Sequence, residues 1–278
     1  VTLIEAQDRI LFEVEAEVSK ELAALLGSHQ RIDLHVGAKV ASVSGSVGAV
    51  TVTFADAAGA TQSVVCDRVL MATGKRPVLA GLGLEQAGVA SAQSVVTVDA
   101  RGRTSVPHIF AVGDLVGGYM LAHTAGQQGR VAAATILGQD RRYEQRLDSG
   151  VIFTRPQAAF VGLSKAQAEA AGLAVSEIKT PVRLDAQAMI KGETHGLIKL
   201  VVDNATRRIV GVHLLADHAD TLVGEAVLMV TAGLTIDQVA WAIHPHPTQT
   251  EMYGDLARRL VQRLDRARPS SPPADRGR

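Results

Sequence analysis

The first 74 residues alternate between apolar strand-like segments and one amphipathic segment, and this order constrains the fold more than any other feature of the chain. VTLIE predicts a short buried strand, and residues 12–27 then place apolar side chains at helical spacing up to Gly27. Further strand-like segments follow with glycine-containing turns, some of them as a hairpin: IDLHV, AKVASVSG, AVTVTF and DRVLMATG. This order indicates the α/β class, with an incomplete Rossmann-like nucleotide-binding domain whose first part is missing.

The middle of the chain, residues 75–148, is richer in glycine and less regular. Residues 109–112 predict a strand that runs directly into Gly113 and Asp114, and residues 122–137 predict a helix. An aspartate at the carboxyl end of a strand can accept hydrogen bonds from a polyol, such as the ribityl chain of a flavin. It can equally cap the following helix, and spacing alone favours the cap.

From residue 149 onward the pattern predicts a separate α+β domain. Two capping boxes mark helix starts, Ser164 with Gln167 and Thr235 with Gln238. Between them, two apolar segments around DNAT predict a hairpin. The last residues, 267–278, contain mostly turn-forming and charged residues, which predicts a disordered tail.

Composition narrows the classes of protein that the chain can represent. Basic and acidic residues number 28 each, so the zero net charge gives no electrostatic basis for binding nucleic acid or an anionic membrane. A single cysteine, Cys66, excludes an internal disulfide, and we interpret it as a buried small apolar residue. With no apolar run of membrane-spanning length and no signal peptide, we expect a soluble cytoplasmic protein. Because the chain starts inside a strand, we also expect it to be part of a longer one.

The segment IHPHPTQTE, residues 243–251, allows three interpretations. As a zinc site, His244, His246 and Glu251 lack a clear further ligand, so we predict no metal. As a helix cap, Thr248 and Glu251 match a capping box. As a catalytic dyad, an imidazole held by a carboxylate carries protons near neutral pH. The cap and the dyad are compatible with each other.

Glu5 directly follows the first predicted strand. In a dinucleotide-binding fold, a carboxylate at this place accepts hydrogen bonds from both ribose hydroxyls of NAD and repels the additional phosphate of NADP. An isolated acidic residue after a strand is more often simply solvated, so the position alone indicates little.

Four segments occur in an order that resembles the class I pyridine nucleotide-disulfide oxidoreductases: VTLIEAQDRIL, ATGKRP, TSVPHIFAVGDLVGGYMLAHTA and HPHPTQTE. The likeness extends from residue 1 to about residue 265. MLAHTA and HPTQTE look most like the C-terminal part of the dihydrolipoamide dehydrogenase branch. The resemblance implies a partial NAD-binding domain at 1–75, the C-terminal return segment of a flavin domain at 76–148, and an interface (dimerisation) domain at 149–266.

The resemblance also implies roles for particular residues. His246 would be the acid/base beside a redox disulfide, with Glu251 orienting it. The residues that would contact NAD are Glu5, Val40 and Gly74. Those that would hold FAD are Asp114, Met120, Leu121, Ala122 and His123. By the same resemblance, the bonds preceding Pro156 and Pro247 would be cis, and two subunits would pair as a homodimer.

The sequence departs from the family pattern because the glycine motif for FAD, the pair of redox cysteines and the glycine-rich turn of the NAD domain are absent. The implied function is therefore the C-terminal portion of an FAD-dependent, NAD-linked disulfide oxidoreductase. Such an enzyme oxidises a dithiol, for example a lipoyl group, and passes electrons through a disulfide and FAD to NAD. We expect this chain to be incomplete and inactive alone.

Two alternatives stay open. A mercuric reductase-like enzyme fits GLIKLVVD equally well, although the C-terminal cysteine pair usual in that enzyme is missing. The chain could also be a non-catalytic dimerisation module that pairs with a separately encoded N-terminal half.

Overall fold

Residues 1–267 are described by a computed structural model, and they fall into two units. The split unit comprises residues 1–69 and 149–267, and the middle unit comprises residues 70–148. Helices and strands are mixed throughout, which confirms the predicted α/β class. Residues 268–278, nearly all of the predicted disordered tail, lie outside the described residues.

The chain starts with a β-α-β arrangement in the split unit. Strands β1 (Thr2–Ile4) and β2 (Asp33–His35) are parallel, and helix α1 (Ala16–Ser28) connects them. The helix begins four residues later than the apolar pattern predicts because Glu15 caps it: the Glu15 carboxylate accepts the N–H groups of Glu17 and Val18. This arrangement places Glu5 immediately after β1.

A three-stranded antiparallel sheet follows, as the sequence predicts. Its strands are β3 (Lys39–Ser46), β4 (Ala49–Ala55) and β5 (Thr61–Cys66). Cys66 is half-buried rather than buried, because it ends an outer strand, where its thiol contacts the carbonyl of Val50. Its interpretation as a core residue was therefore wrong.

The strand predicted for DRVLMATG does not form, and residues 67–80 contain neither helix nor strand. Leu70 is 90% exposed and Met71 is 80% exposed. A strand is stable only when a neighbouring strand takes up its backbone N–H and C=O groups. Within residues 1–267 no strand pairs with this segment.

The middle unit contains two very short strands and one long helix. These are β6 (Ser91–Ala92), β7 (Val95–Val96) and α2 (Ala122–Ile136), with a short 3-10 helix at Gly113–Val116. Residues 109–112 do not form the predicted strand and contribute only an isolated bridge between Phe110 and Arg103. Ile109 N–H is used by a turn, since it donates to the carbonyl of Val106, and Ala111 N–H donates to the carbonyl of Gly102 beside the bridge.

Residues 149–267 form a five-stranded antiparallel sheet with helices, in the order β10-β11-β12-β9-β8. The strands are β8 (Ser149–Ile152), β9 (Gln157–Gly162), β10 (Val175–Pro181), β11 (Leu197–Asp203) and β12 (Ile209–Ala216). The hairpin around DNAT joins β11 and β12, as predicted. Residues of β11 and β12 are almost all buried, so this sheet is the core of the split unit.

Five helices accompany the sheet: α3 (Lys165–Ala170), α4 (Ala186–Lys191), α5 (Ala219–Thr231), α6 (Ile236–Ala240) and α7 (Glu251–Ala267). Both predicted capping boxes are present, at the starts of α3 and α6. The bonds before Pro156 and Pro247 are cis, as predicted. None of the helices within residues 1–267 combines the length and apolar character that crossing a membrane requires.

Candidate functional site

His246 and Glu251 meet at the start of α7. The turn that holds His246 precedes this helix, and Glu251 is its first residue. Nδ1 of His246 lies 3.0 Å and 3.2 Å from the two carboxylate oxygens of Glu251. An ionised carboxylate only accepts hydrogen bonds, so Nδ1 must carry the proton and donate it. The Nε2 lone pair is left available, on a side chain that is 72% exposed.

Glu251 has a second partner in the same turn. One of its carboxylate oxygens accepts the backbone N–H of Thr248 at 2.8 Å. This N–H and, second to it, the His246 side chain lower the pKa of the Glu251 carboxyl. The carboxylate is therefore held charged and in a fixed direction, as an orienting partner for an imidazole must be.

The capping box predicted at Thr248 and Glu251 is only half formed. Glu251 reaches back to the N–H of Thr248, but the Thr248 hydroxyl donates to the carbonyl of Pro245 at 2.7 Å. The reason is the helix boundary. Because α7 starts at Glu251, Thr248 lies too far before the helix to act as its N-cap.

His244 points away from this pair. Its Nε2 lies 2.9 Å from Oε1 of Glu225 on α5, and its side chain is only 9% exposed. The two histidines thus have separate carboxylate partners. Within residues 1–267 there is no group of three or more His, Cys, Asp or Glu side chains arranged to hold a metal ion.

Glu5 and Val40 are the predicted NAD contacts of the split unit, and a backbone hydrogen bond brings their two segments together. The carbonyl of Glu5 accepts the N–H of Ala38, two residues before Val40. The Glu5 carboxylate accepts the N–H of Gln7 at 2.7 Å, which fixes its direction and leaves further lone pairs for hydroxyl donors. Val40 is half exposed at the start of β3.

The predicted flavin contacts gather in the middle unit. Asp114 lies in the 3-10 helix, followed by Met120 and then by Leu121, the N-cap of α2. Leu121 has no polar side chain and makes no side-chain cap hydrogen bond to α2, whose first residues are Ala122 and His123. Gly74, which has φ of 92°, directly precedes Lys75.

Lys75 is a site residue that the sequence did not indicate. Its ammonium group lies 2.7 Å from Oδ2 of Asp114 and also donates to the carbonyl of Met120. One cation therefore joins the ATGKRP segment to both ends of the turn before α2. The available signal was its position directly after Gly74, but nothing in the spacing pointed to Asp114.

A second polar network in the middle unit was also missed. The Tyr143 hydroxyl donates to Oδ2 of Asp148, and Oγ1 of Thr124 in the first turn of α2 lies 3.3 Å from Oδ1 of Asp148. Burial raises the pKa of the Asp148 carboxyl and of the Tyr143 hydroxyl. This network fastens residue 148, the end of the middle unit, to α2.

Comparison with known proteins gives two matches to one family. The model of pyridine nucleotide-disulphide oxidoreductases matches residues 1–129, and the model of the dimerisation domain of these enzymes matches residues 149–257. The dihydrolipoyl dehydrogenase of Bacillus subtilis is 32% identical over 258 residues, which are 92% of this chain and 55% of that protein. Dihydrolipoyl dehydrogenase 3 of Pseudomonas putida is 34% identical over 90% of this chain and 54% of its own length.

Solved structures give the same picture. LpdA from Mycobacterium tuberculosis superposes with a TM-score of 0.84 at 29% identity, covering 94% of this chain and 56% of that chain. The HOCl-induced flavoprotein disulfide reductase RclA from Escherichia coli superposes with a TM-score of 0.81 at 26% identity, covering 93% of this chain and 59% of its own. The chain thus spans about half the length of the curated relatives that it matches.

Proposed function

Because the chain belongs to the pyridine nucleotide-disulphide oxidoreductase family, we propose that it is the acid–base and subunit-pairing portion of a dithiol oxidoreductase that uses FAD and NAD. The substrate class is a dithiol of the dihydrolipoyl type, as the names of the relatives suggest. The single cysteine fits a reducing compartment, and the proposal therefore places the enzyme in the cytoplasm.

The observation that carries this proposal is the contact of 3.0 Å between Nδ1 of His246 and Glu251. With Nδ1 donating, Nε2 is the basic atom and can remove the proton of a substrate thiol. A thiolate, rather than a thiol, attacks a disulfide. Glu251 stabilises the imidazolium that results, and the same Nε2–H can later return its proton to a leaving thiolate.

The residues of the middle unit fit a flavin dinucleotide. The half-exposed carboxylate of Asp114 can accept hydrogen bonds from hydroxyl groups, and the start of α2 offers N–H donors without a capping side chain. Gly113 has φ of 76°, and a Cβ added there would lie 3.2 Å from Cβ of Ala125, so both the backbone conformation and the close approach to α2 favour glycine. When bound, FAD supplies the electron relay between the disulfide and NAD.

The residues of the split unit fit the ribose of NAD in a similar way. The Glu5 carboxylate is already oriented by the N–H of Gln7 and retains lone pairs for ribose hydroxyls. Val40, near the start of β3, supplies an apolar surface two residues after Ala38, whose N–H donates to the carbonyl of Glu5. We assign Gly74 to the same cofactor only through the family resemblance.

The same proposal includes a homodimer formed through residues 149–257. Large apolar side chains are exposed in this part, including Trp241 and Ile243, and the 98% exposed Ile243 directly precedes His244, the first histidine of the turn. Exposed apolar groups of this size mark surfaces that bind other proteins. In a two-fold dimer, the turn of each subunit would face its partner.

A fusion tests the activity. The N-terminal portion of the Bacillus subtilis relative, which lies outside the matched 55% of that protein, is joined to residue 1 of this chain. We expect reduction of NAD by dihydrolipoamide, with one flavin per subunit. Reduction of mercuric ion without dithiol oxidation would favour the mercuric reductase alternative. A dimeric fusion with bound flavin and neither activity would favour the non-catalytic module.

The role of His246 is tested in the same fusion. His246→Gln should lower dithiol turnover by about 10²–10⁴-fold, the usual contribution of a general acid–base group, without changing flavin content. His218→Gln, a substitution of an exposed histidine in the same unit, is the matched control and should change neither quantity. Equal losses in the two variants, or loss of flavin in His246→Gln alone, would show that the turn has only a structural role.

A further inference from the structure

We infer that Glu225 and His244 are positioning residues for His246. The inference rests on the proposed function, since it assigns them the task of aiming the proton-carrying ring. Residues 242–250, which hold both histidines, contain neither helix nor strand, so their path depends on side-chain contacts. His246 itself is anchored only through Glu251 among the hydrogen bonds found within residues 1–267.

The contact between His244 and Glu225 is well suited to fix the beginning of this turn. Nε2 of His244 lies 2.9 Å from the carboxylate, and the ring is almost entirely buried. Because a carboxylate only accepts, Nε2 must donate, which sets the ring tautomer as well as its direction. A hydrogen bond to a charged group is stronger than a neutral one.

Close packing limits where the His244 ring can lie. A Cβ added at Gly254 on α7 would be 3.1 Å from Nδ1 of His244 and 3.1 Å from a guanidinium nitrogen of Arg258. Any other residue at position 254 would therefore push against the imidazole. The glycine lets the ring lie directly against α7, with Glu225 on its other nitrogen.

Helices α5 and α7, which carry the carboxylate partners of the two histidines, are joined by a hydrogen bond. Tyr253, the third residue of α7, is fully buried, and its hydroxyl donates to the carbonyl of Leu222 at 2.8 Å. Leu222 precedes Glu225 by less than one turn of α5. Glu225 on α5 and Glu251 on α7 therefore lie on two helices that are hydrogen-bonded to each other. Glu225 binds the first histidine of the turn, and Glu251 binds the second.

The turn is consequently held at three points. His244 fixes its start to α5, Thr248 closes its middle on the carbonyl of Pro245, and Glu251 holds the His246 ring. Loss of the first point frees the backbone before His246. The His246 ring would then be hydrogen-bonded to Glu251 for only part of the time, and the neutral ring would no longer be held in the tautomer that carries its proton on Nδ1.

The test uses the 278-residue chain and reads the tautomer of His246 directly, with two-bond proton–nitrogen NMR spectra of the histidine rings. Assignment uses His246→Gln, and Glu251→Gln gives the reference for a ring without its carboxylate. Glu225→Ala should shift the His246 signals from the Nδ1–H form toward a mixture of tautomers. Glu225→Gln, which keeps an oxygen acceptor, should restore most of the wild-type pattern.

Glu169→Gln, on the exposed face of α3, is the control and should leave the His246 signals unchanged. Unchanged His246 signals in Glu225→Ala would overturn the inference, as would equal effects of the alanine and glutamine variants at 225. Far-UV circular dichroism verifies that each variant is folded. This NMR test measures no redox activity, so its outcome is independent of the fusion experiment. If the fusion is inactive but the His246 tautomer still depends on Glu225, the proposed function is refuted and the positioning role remains.

Discussion

Nζ of Lys199 lies 3.0 Å from Oε1 of Glu15, which joins the cap of a helix to a strand that comes 184 residues later. The same ammonium group is 2.7 Å from Glu17 and 3.6 Å from Glu177, and its side chain is 4% exposed. Glu15 meanwhile uses its other oxygen to cap α1. This charge cluster therefore holds α1 against the central sheet of the split unit.

We expect Lys199→Met to lower the free energy of unfolding by about 2–3 kcal/mol. Removing one partner of a buried ion pair costs about 3–5 kcal/mol, and the partial exposure of Glu17 and Glu177 reduces that figure. Urea unfolding measures the change. Lys165→Met, which removes an exposed pair with Glu169 at 4.0 Å, should cost about 0.5 kcal/mol or less. Similar losses in the two variants would show that the cluster does not stabilise the fold.

The sequence predicted those features whose determinants are local. The capping boxes that begin at Ser164 and Thr235 formed as expected, because each needs only a residue three positions away. The contact between His246 and Glu251 spans five residues and was predicted as well. For the pair of His246 and Glu251, the family resemblance supported the same prediction as the local pattern.

The features that depend on distant partners were missed or wrong. The segments at 67–74 and 109–112 predicted strands, but a strand also requires a neighbour with free backbone groups. Lys199 lies within an apolar strand, and nothing near it indicated Glu15. Lys75 and Asp114 are 39 residues apart, and Glu225 and His244 are 19 apart, so neither pair followed from spacing.

His213 gives a pH-dependent prediction. It lies opposite Lys199 in the ladder between β11 and β12, and it is 2% exposed. Its Nε2 faces the carbonyl of Leu163 at 3.2 Å, while its buried Nδ1 has no hydrogen-bond partner within residues 1–267. Burial lowers the pKa of this imidazole, an effect that the carbonyl of Leu163 and the charge of Glu15 oppose.

The sign follows from proton binding. Below the unperturbed histidine pKa of about 6.5, His213 binds a proton in the unfolded chain but stays neutral in the folded one. The contribution of His213 to stability is thus present above that pH and is lost as the pH falls, at up to about 1.4 kcal/mol per pH unit. We expect His213→Leu to flatten urea-unfolding stability between pH 5 and 6.5. His218→Gln, at an exposed position, should keep the wild-type slope. An unchanged slope in His213→Leu would contradict the prediction.

Ile243 tests the homodimer. We expect the chain to sediment as a dimer at micromolar concentration, and Ile243→Asp should raise the dissociation constant by about 10²-fold or more. Burial of one such side chain contributes about 1.5–3 kcal/mol, and a two-fold dimer contains the site twice. Leu137→Asp alters a similarly exposed residue outside the matched dimerisation domain and should leave the dimer intact. A monomeric wild-type chain, or equal weakening by both substitutions, would count against pairing through this surface.

Lys75 tests the flavin site through binding rather than turnover. The chain alone should purify nearly colourless, because it lacks the glycine motif for FAD, whereas the fusion should carry one flavin per subunit. Lys75→Met should weaken flavin binding to the fusion by about 10–10²-fold, the equivalent of one or two hydrogen bonds to a charged group. The reason is that Lys75 joins Asp114 to the carbonyl of Met120, a non-glycine residue with φ of 53°.

Arg76→Met, at the neighbouring exposed position, is the control and should retain its flavin, as measured by visible absorbance after dialysis. Full flavin retention in Lys75→Met would show that this ion pair does not shape the cofactor site.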